Sequence, residues 1–427
     1  MRLDFRQFIP SVTFVVRVAN LATAERAFNK QRIIQFRPFE PAIFAALMES
    51  DQHRNRVETM RIRLLLPISI FAFLSGFFAF EVLAHSYRTE NVFLVTLDGL
   101  RWQELFGGAD PTLIGETQFV KDPESLKRQF WAENREVRKL KLLPFFWSVI
   151  AKQGQIYGNR LKESYVNTAN QLLFSYPGYN EILTGAADDR QIVSNKKLLN
   201  PNETVLEFIN KQDGFSGRVV AFCSWEVFPF IINEKRSGVP VNAGFEAADV
   251  EPLSDRETFL NKLQDQIPRR WPNVRFDAFT HHFALEYIKK RKPRLIYIAY
   301  GETDDFAHDG RYDHYLRSAH QTDDFIGDLW RFIQSTEEYR DKTTLLIATD
   351  HGRGATPKES WTTHNDQVLG SNQTWIAAIG PDTSPLGDNL KGQYFLNQLA
   401  ASVGKFLGFD YNTDQESGAP IETLFNE

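Results

Sequence analysis

Five short runs dominated by apolar residues decide what this chain can fold into. They are Val92 to Leu97, Arg218 to Phe222, Leu295 to Tyr300, Thr344 to Ala348 and Thr374 to Ile379. Each has the length of a strand, and none alternates apolar with polar, so both faces of each strand must be covered. That is the demand of a parallel sheet buried between helices, not of an antiparallel sheet with one wet face. Helix-like periodicity fills the intervals, as in Phe283 to Lys290 and Tyr315 to Thr336. Strands alternating with helices predict an α/β fold, a three-layer α/β/α sandwich around a mostly parallel central sheet.

Candidate ligands stand just past three of these runs. Asp98-Gly99 follows the first, Asp304 and His308 follow the third, and Asp350-His351-Gly352 follows the fourth. In open α/β sheets ligands bind beyond the carboxyl ends of the strands, so these side chains are expected to converge on one sheet edge. Asp304 and His308 are one helical turn apart and share a face. Asp350 and His351 need a turn to reach one ion, and Gly352 permits it. His364, within Trp361-Thr362-Thr363-His364-Asn365, completes a set of three carboxylates and three imidazoles. Singly, each has a bland explanation: an Asp-Gly turn, an acidic helix start, a solvated loop histidine. Together they make two mixed N/O metal sites of the kind zinc favours.

Between the first two groups lies Phe174-Ser175-Tyr176-Pro177-Gly178. Pro177 suits the first turn of a helix running through Ile182-Leu183, which puts Ser175 beside a helix N-terminus that attracts an anion. A hydroxyl nucleophile next to two metal ions is machinery for displacement at phosphorus. Asn195, in Val193-Ser194-Asn195-Lys196, is positioned in sequence to donate its amide to a phosphoryl oxygen. Trp225, with Phe228 and Phe230, outlines an apolar or stacking pocket for the substrate. All three fall in an irregular stretch, 200–272, read as an insertion that shapes the pocket.

A chain of 427 residues holds one large α/β domain or two smaller ones. A net charge of −5 gives no electrostatic ground for a nucleic-acid polymer as partner, leaving a small-molecule substrate. The single cysteine, Cys223, excludes an intrachain disulfide. Met60-Arg61-Ile62-Arg63, the apolar run Leu64 to Phe80 and the exit Val82-Leu83-Ala84 have the order of a signal peptide. Cleavage near Ala84 would export a domain spanning 85–427 to the periplasm or beyond. The alternative is an uncleaved anchor over 64–80, which would hold the domain at a membrane. Residues 1–59 show no sustained period and are read as an unassigned extension upstream of a start at Met60.

In this order and spacing, the runs between Asn91 and Pro381 resemble the alkaline phosphatase superfamily, in its type I phosphodiesterase/nucleotide pyrophosphatase branch. The resemblance implies an alkaline-phosphatase-like fold and two divalent ions, zinc by the superfamily's habit. It assigns Asp98, Asp350 and His351 to one ion together with the Ser175 oxygen, and Asp304, His308 and His364 to the other. Phe174 through Thr184-Gly185 resembles the family's nucleophile segment, and Asn195-Lys196 falls where the family carries its phosphate-binding asparagine. Three departures stand out. Ser175 replaces the branch's usual threonine, and Gly178-Tyr179 replaces a common Asn-His pair. Cys223-Ser224-Trp225-Glu226 stands where related monoesterases have a Lys-x-Arg grip for a dianion, which favours phosphodiesters. The implied reaction is a two-step displacement through a phosphoseryl intermediate on Ser175, with net retention at phosphorus. A phosphomonoesterase or other ester hydrolase of the superfamily is the alternative enzyme. A secreted binding protein that retains its ions for structure is the alternative outside enzymes, although structural zinc sites are usually closed and cysteine-rich.

Overall fold

The first apolar run becomes strand β1 (Asn91–Leu97), which lies at the middle of the main sheet. The computed structural model describes residues 87–426 apart from positions 414 and 416. The extension over 1–59 and the signal or anchor segment over 60–84 lie outside the described residues. Among the described residues, no helix is long and apolar enough to cross a membrane.

In chain order the remaining strands are β2 (Gln155–Tyr157), β3 (Ser164–Asn167), β4 (Val219–Cys223), β5 (Val241–Ala243) and β6 (Leu295–Tyr300). They continue with β7 (Thr343–Ala348), β8 (Gln373–Thr374), β9 (Ile376–Ile379) and β10 (Gly392–Phe395). The main sheet has seven strands in the order β2-β9-β7-β1-β6-β4-β5. β7, β1, β6, β4 and β5 are parallel, whereas β9 runs antiparallel to both β7 and β2. The register sets Val95 beside Ile298 on one side and Ile347 on the other. The fifth apolar run does not form one strand. It divides at Trp375: β8 pairs with β3 in a separate three-stranded sheet, and only β9 enters the main one. The short strands β2, β5, β3 and β10 carry too few residues to show a pattern in sequence.

The all-apolar strands are explained by two cores. Phe93, Val95 and Leu97 face one side, with Phe283 from helix Asp277–Arg291 and Ala319 from helix Tyr312–Ser335. Val92 and Leu94 face the other, with Ile182 from helix Ser175–Thr184 and Val403 from helix Leu399–Phe406. Every one of these side chains is 1% exposed or less. Each such burial stabilises by about 1.5–3 kcal/mol, which is why no strand tolerates a polar face here.

The stretch 200–272 supplies β4 and β5 to the sheet, and an ion network holds it together. The buried carboxylate of Glu207 accepts from Arg236 Nη2 at 2.7 Å and from Lys211 Nζ at 2.9 Å, while Arg236 Nη1 donates to the Asn200 and Pro201 carbonyls. Burial alone would raise the Glu207 pKa, but Arg236 and Lys211 outweigh it and hold the group below its ordinary value. A depressed carboxylate contributes stability above its unfolded pKa and loses it as pH falls through the folded one. Arg236→Met is therefore expected to cost about 2 kcal/mol in urea unfolding at pH 7. The gap from wild type should narrow as pH falls below the ordinary carboxylate range and through the depressed pKa of Glu207, where the carboxyl becomes protonated in both proteins.

A second constraint is steric. A Cβ on Gly178 would lie 2.5 Å from the Asp350 carbonyl oxygen, so helix Ser175–Thr184 meets the end of β7 only through a glycine. Gly178→Ala should overpack this contact by roughly 1–3 kcal/mol, read as a lowered thermal midpoint.

Candidate active site

Parallel pairing places the carboxyl ends of β7, β1, β6 and β4 side by side. Asp98 follows β1, Gly301 and helix Glu302–His308 follow β6, Asp350 and His351 follow β7, and Trp225 follows β4. The turn at Asp98-Gly99 is tight: Gly99 has φ +59°, and its N–H donates to Asp350 Oδ1 at 3.0 Å. Helix Glu302–His308 presents Asp304 and His308 on one face, with Asp304 Oδ2 3.2 Å from His308 Nε2. Gly352 works differently from its sequence reading. It lacks a positive φ, and its role is close approach, since a Cβ would lie 2.4 Å from the carbonyl oxygens of Gln373 and Gly370.

All six sequence-predicted ligand residues come together. His351 Nε2 lies 3.3 Å from Asp98 Oδ1, 3.4 Å from Asp350 Oδ2 and 3.8 Å from Asp304 Oδ1. His364 Nε2 is 3.5 Å from Asp304 Oδ1 and 3.1 Å from His308 Nε2. Asp98, Asp350 and His351 form one group spaced to hold an ion, and Asp304, His351 and His364 form another.

Proton accounting tests whether a cation fits. His351 Nδ1 is 3.0 Å from the Gly352 carbonyl and His364 Nδ1 is 2.9 Å from the Leu173 carbonyl. A carbonyl only accepts, so each Nδ1 donates to backbone and each Nε2 points inward, where it can ligate an ion. His351 Nε2 faces carboxylate oxygens and the Ser175 hydroxyl. Asp98 Oδ1 and Asp350 Oδ2 are buried and have no hydrogen-bond partner. Buried carboxylate oxygens left without a donor, beside an imidazole whose second nitrogen is anchored to backbone, are what metal ligands look like. Two divalent ions fit this set on its donor chemistry.

The pKa shifts have the same cause. Burial and then Asp304 push Asp98 well up, and burial and then Asp98 do so for Asp350. Burial opposes ionisation of Asp304 too, but Arg353 and His308 prevail and hold it well below the carboxylate range. Burial and then His351 push His364 well down, which keeps its ring neutral and able to ligate.

Ser175 is the first residue of its helix, buried, with Oγ 3.4 Å from His351 Nε2. Asn195 Oδ1 accepts from the Tyr176 N–H at 2.9 Å, which leaves the two amide hydrogens of this exposed residue unspent beside Ser175. Ser175, Asn195, Lys196, Trp225, Glu226, Asp98, Asp304, Asp305 and His308 line one cleft of about 570 Å³. Trp225 stands at its wall, edge-on to Phe228. Phe228 is a core residue, buried beneath Trp225 and against Tyr179, and Phe230 does not line the cleft.

Two residues that sequence reading passed over belong to the site. Tyr179 Oη donates to Asp98 Oδ2 at 2.9 Å, orienting that carboxylate, and Arg353 Nη1 donates to Asp304 Oδ1. A tyrosine one helical turn after Ser175 and an arginine two residues after His351 were the available signals.

A family model described as type I phosphodiesterase / nucleotide pyrophosphatase matches residues 117–397, a span that contains every site residue above except Asp98. No curated protein sequence matches the chain. Among solved structures, the wild-type alkaline phosphatase PafA superposes with a TM-score of 0.54 at 10% identity, covering 79% of this chain and 99% of that one. The phosphonate monoester hydrolase SpPMH from Silicibacter pomeroyi gives 0.50 at 13%, covering 79% and 76%. The lipoteichoic acid synthase LtaP from Listeria monocytogenes gives 0.50 at 9%, covering 80% and 76%. At these identities the structures speak for the fold, and the fold is that of alkaline phosphatase. The chain belongs to the type I phosphodiesterase/nucleotide pyrophosphatase family of the alkaline phosphatase superfamily, and is a metal-dependent phosphoric ester hydrolase.

Proposed function

We propose that the protein is an exported hydrolase of phosphodiesters that works through a phosphoseryl intermediate on Ser175. Asp98, Asp350 and His351 hold one divalent ion, with Asp304, His308 and His364 holding the second. Zinc is the metal best matched to these nitrogen and oxygen donors. When bound, the ions supply charge for the developing oxyanions and lower the pKa of the attacking hydroxyl and water. The observation that carries this reading is the placement of His351 Nε2 3.3 Å from Asp98 Oδ1, 3.4 Å from Asp350 Oδ2 and 3.4 Å from Ser175 Oγ.

The chain's own residues divide the work. Ser175 attacks phosphorus from the start of its helix, where the helix dipole favours the anion. Asn195 turns its amide hydrogens toward a phosphoryl oxygen, having fixed its own carbonyl on Tyr176. The leaving group departs along the cleft past Trp225, and water then cleaves the Ser175 ester from that side. Two inversions give retention at phosphorus.

Charge favours the diester. Among the described residues lining the cleft there is no arginine, and Lys197 is paired with Glu226 at 2.9 Å. Lys196 is the one other lysine among the described residues that line the cleft. A monoester dianion would find no bidentate grip there. The two aryl substrates bis(p-nitrophenyl) phosphate and p-nitrophenyl phosphate test this on the purified zinc-loaded protein. The diester should give the higher kcat/KM. Ser175→Ala should lower it at least about a thousandfold without changing bound zinc. A faster monoester would replace the diesterase reading with the phosphomonoesterase, and an active Ser175→Ala would end the phosphoseryl mechanism.

Tyr179 provides a finer check. Tyr179→Phe removes the hydrogen bond to Asp98 while keeping the ring packed on Phe228. Affinity for one ion should fall by about tenfold, measured by chelator competition, at an unchanged thermal midpoint.

A further inference from the structure

Arg353 is 1% exposed and all three of its guanidinium nitrogens are engaged. Nε donates to the Trp361 carbonyl at 2.9 Å, Nη2 to the Thr362 carbonyl at 2.8 Å, and Nη1 to Asp304 Oδ1. Buried and with each of these nitrogens already bonded to protein, it has no guanidinium face turned to a substrate. Whatever it does for the reaction passes through Asp304.

The arrangement joins three parts of the site. Arg353 leaves the turn after β7, grips helix Glu302–His308 through Asp304, and grips the 3-10 turn Lys358–Thr362 through two carbonyls. That turn ends two residues before His364. A planar fork fixed on one side by two backbone carbonyls leaves Nη1 little freedom, so it fixes the Asp304 oxygen that also faces His364 at 3.5 Å, while the other oxygen faces His308 at 3.2 Å. The space is reserved: a Cβ on Gly99 would lie 2.8 Å from Arg353 Nη1 and 2.9 Å from Asp304 Oδ1. The other half of the site has no such cation. Asp98 and Asp350 are oriented by neutral donors, Tyr179 and the Gly99 N–H.

We propose that Arg353 is a positioning residue that presets Asp304, and with it the approach of His364, for the ion on the Asp304–His308–His364 side. The inference rests on the two-ion reading above. Hydrogen bonds to a ligand from its outer partners are commonly worth ten- to a hundredfold in metal affinity. A lysine retains the charge but cannot serve three acceptors in a plane.

Zinc content and chelator-competition affinity decide the matter, measured on wild type, Arg353→Met and Arg353→Lys with circular-dichroism melting alongside. Wild type should bind two ions. Arg353→Met should keep one at wild-type affinity and hold the other about 10–100 times more weakly, with Arg353→Lys in between. If Arg353→Met does not fold, Arg353→Lys alone must show the selective weakening of one ion. Unchanged or tighter binding of both ions in a folded variant overturns the proposal, because Arg353 would then be idle or a competitor for Asp304. Equal loss of both ions, in step with the melting temperature, overturns it in favour of a merely structural arginine. A wild type that binds no ion fails the two-ion reading itself, and the proposal with it.

Discussion

Three carboxylates packed together out of water are the interaction around which the rest of this molecule is arranged. Asp98, Asp304 and Asp350 share one imidazole, His351, and are offset by a single guanidinium, Arg353. With neutral histidines the cluster carries a net charge of about −2, and burial makes such a charge far more costly than it would be in solvent. Protonation is one relief, and the upward shifts of Asp98 and Asp350 show the protein alone moving that way. Divalent cations are the other, and they reverse the sign of the local field. Two of them would leave the cluster at about +2, a potential suited to a phosphate ester.

Holding such a cluster requires a scaffold that does not yield. Three neighbouring parallel strands, β7, β1 and β6, bring one carboxylate each by running in the same direction. Their side chains interdigitate with helices on both faces, and little can shift without opening a void. The helix that starts at Ser175 meets this edge at Gly178, and the next residue, Tyr179, reaches Asp98. This explains one departure from the family pattern. Gly178-Tyr179 is a contact pair, with the glycine letting the helix approach β7 and the tyrosine steadying a ligand that an Asn-His pair would meet differently.

What could be read from residues alone follows from the same physics. Continuous apolar runs announce a doubly covered sheet, and acids at their ends stand out because nothing else in the run is polar. The parallel core, and the acids at Asp98, Asp304 and Asp350 that the structure brings together, stood out for that reason. Tyr179 and Arg353 lack such a background. Their importance lies in which atom they face, Asp98 Oδ2 and Asp304 Oδ1, and separations of 81 and 49 residues leave no local trace. The run from Thr374 to Ile379 misled for the opposite reason: its composition is uniform, yet Trp375 turns inward to the Leu100 carbonyl and divides it between two sheets.

The two halves of the site are chemically unequal. One offers two carboxylates and a fully buried histidine; the other offers one carboxylate already bonded to an arginine, with His308 44% exposed. Coulomb's law alone makes the first the stronger site for a dication, because its ligands carry twice the charge and the second faces a fixed positive neighbour. Solvent access points the same way, since an exposed imidazole exchanges its partner more readily than a buried one. Two ions held by these residues would therefore be bound unequally, more tightly on the Asp98 side.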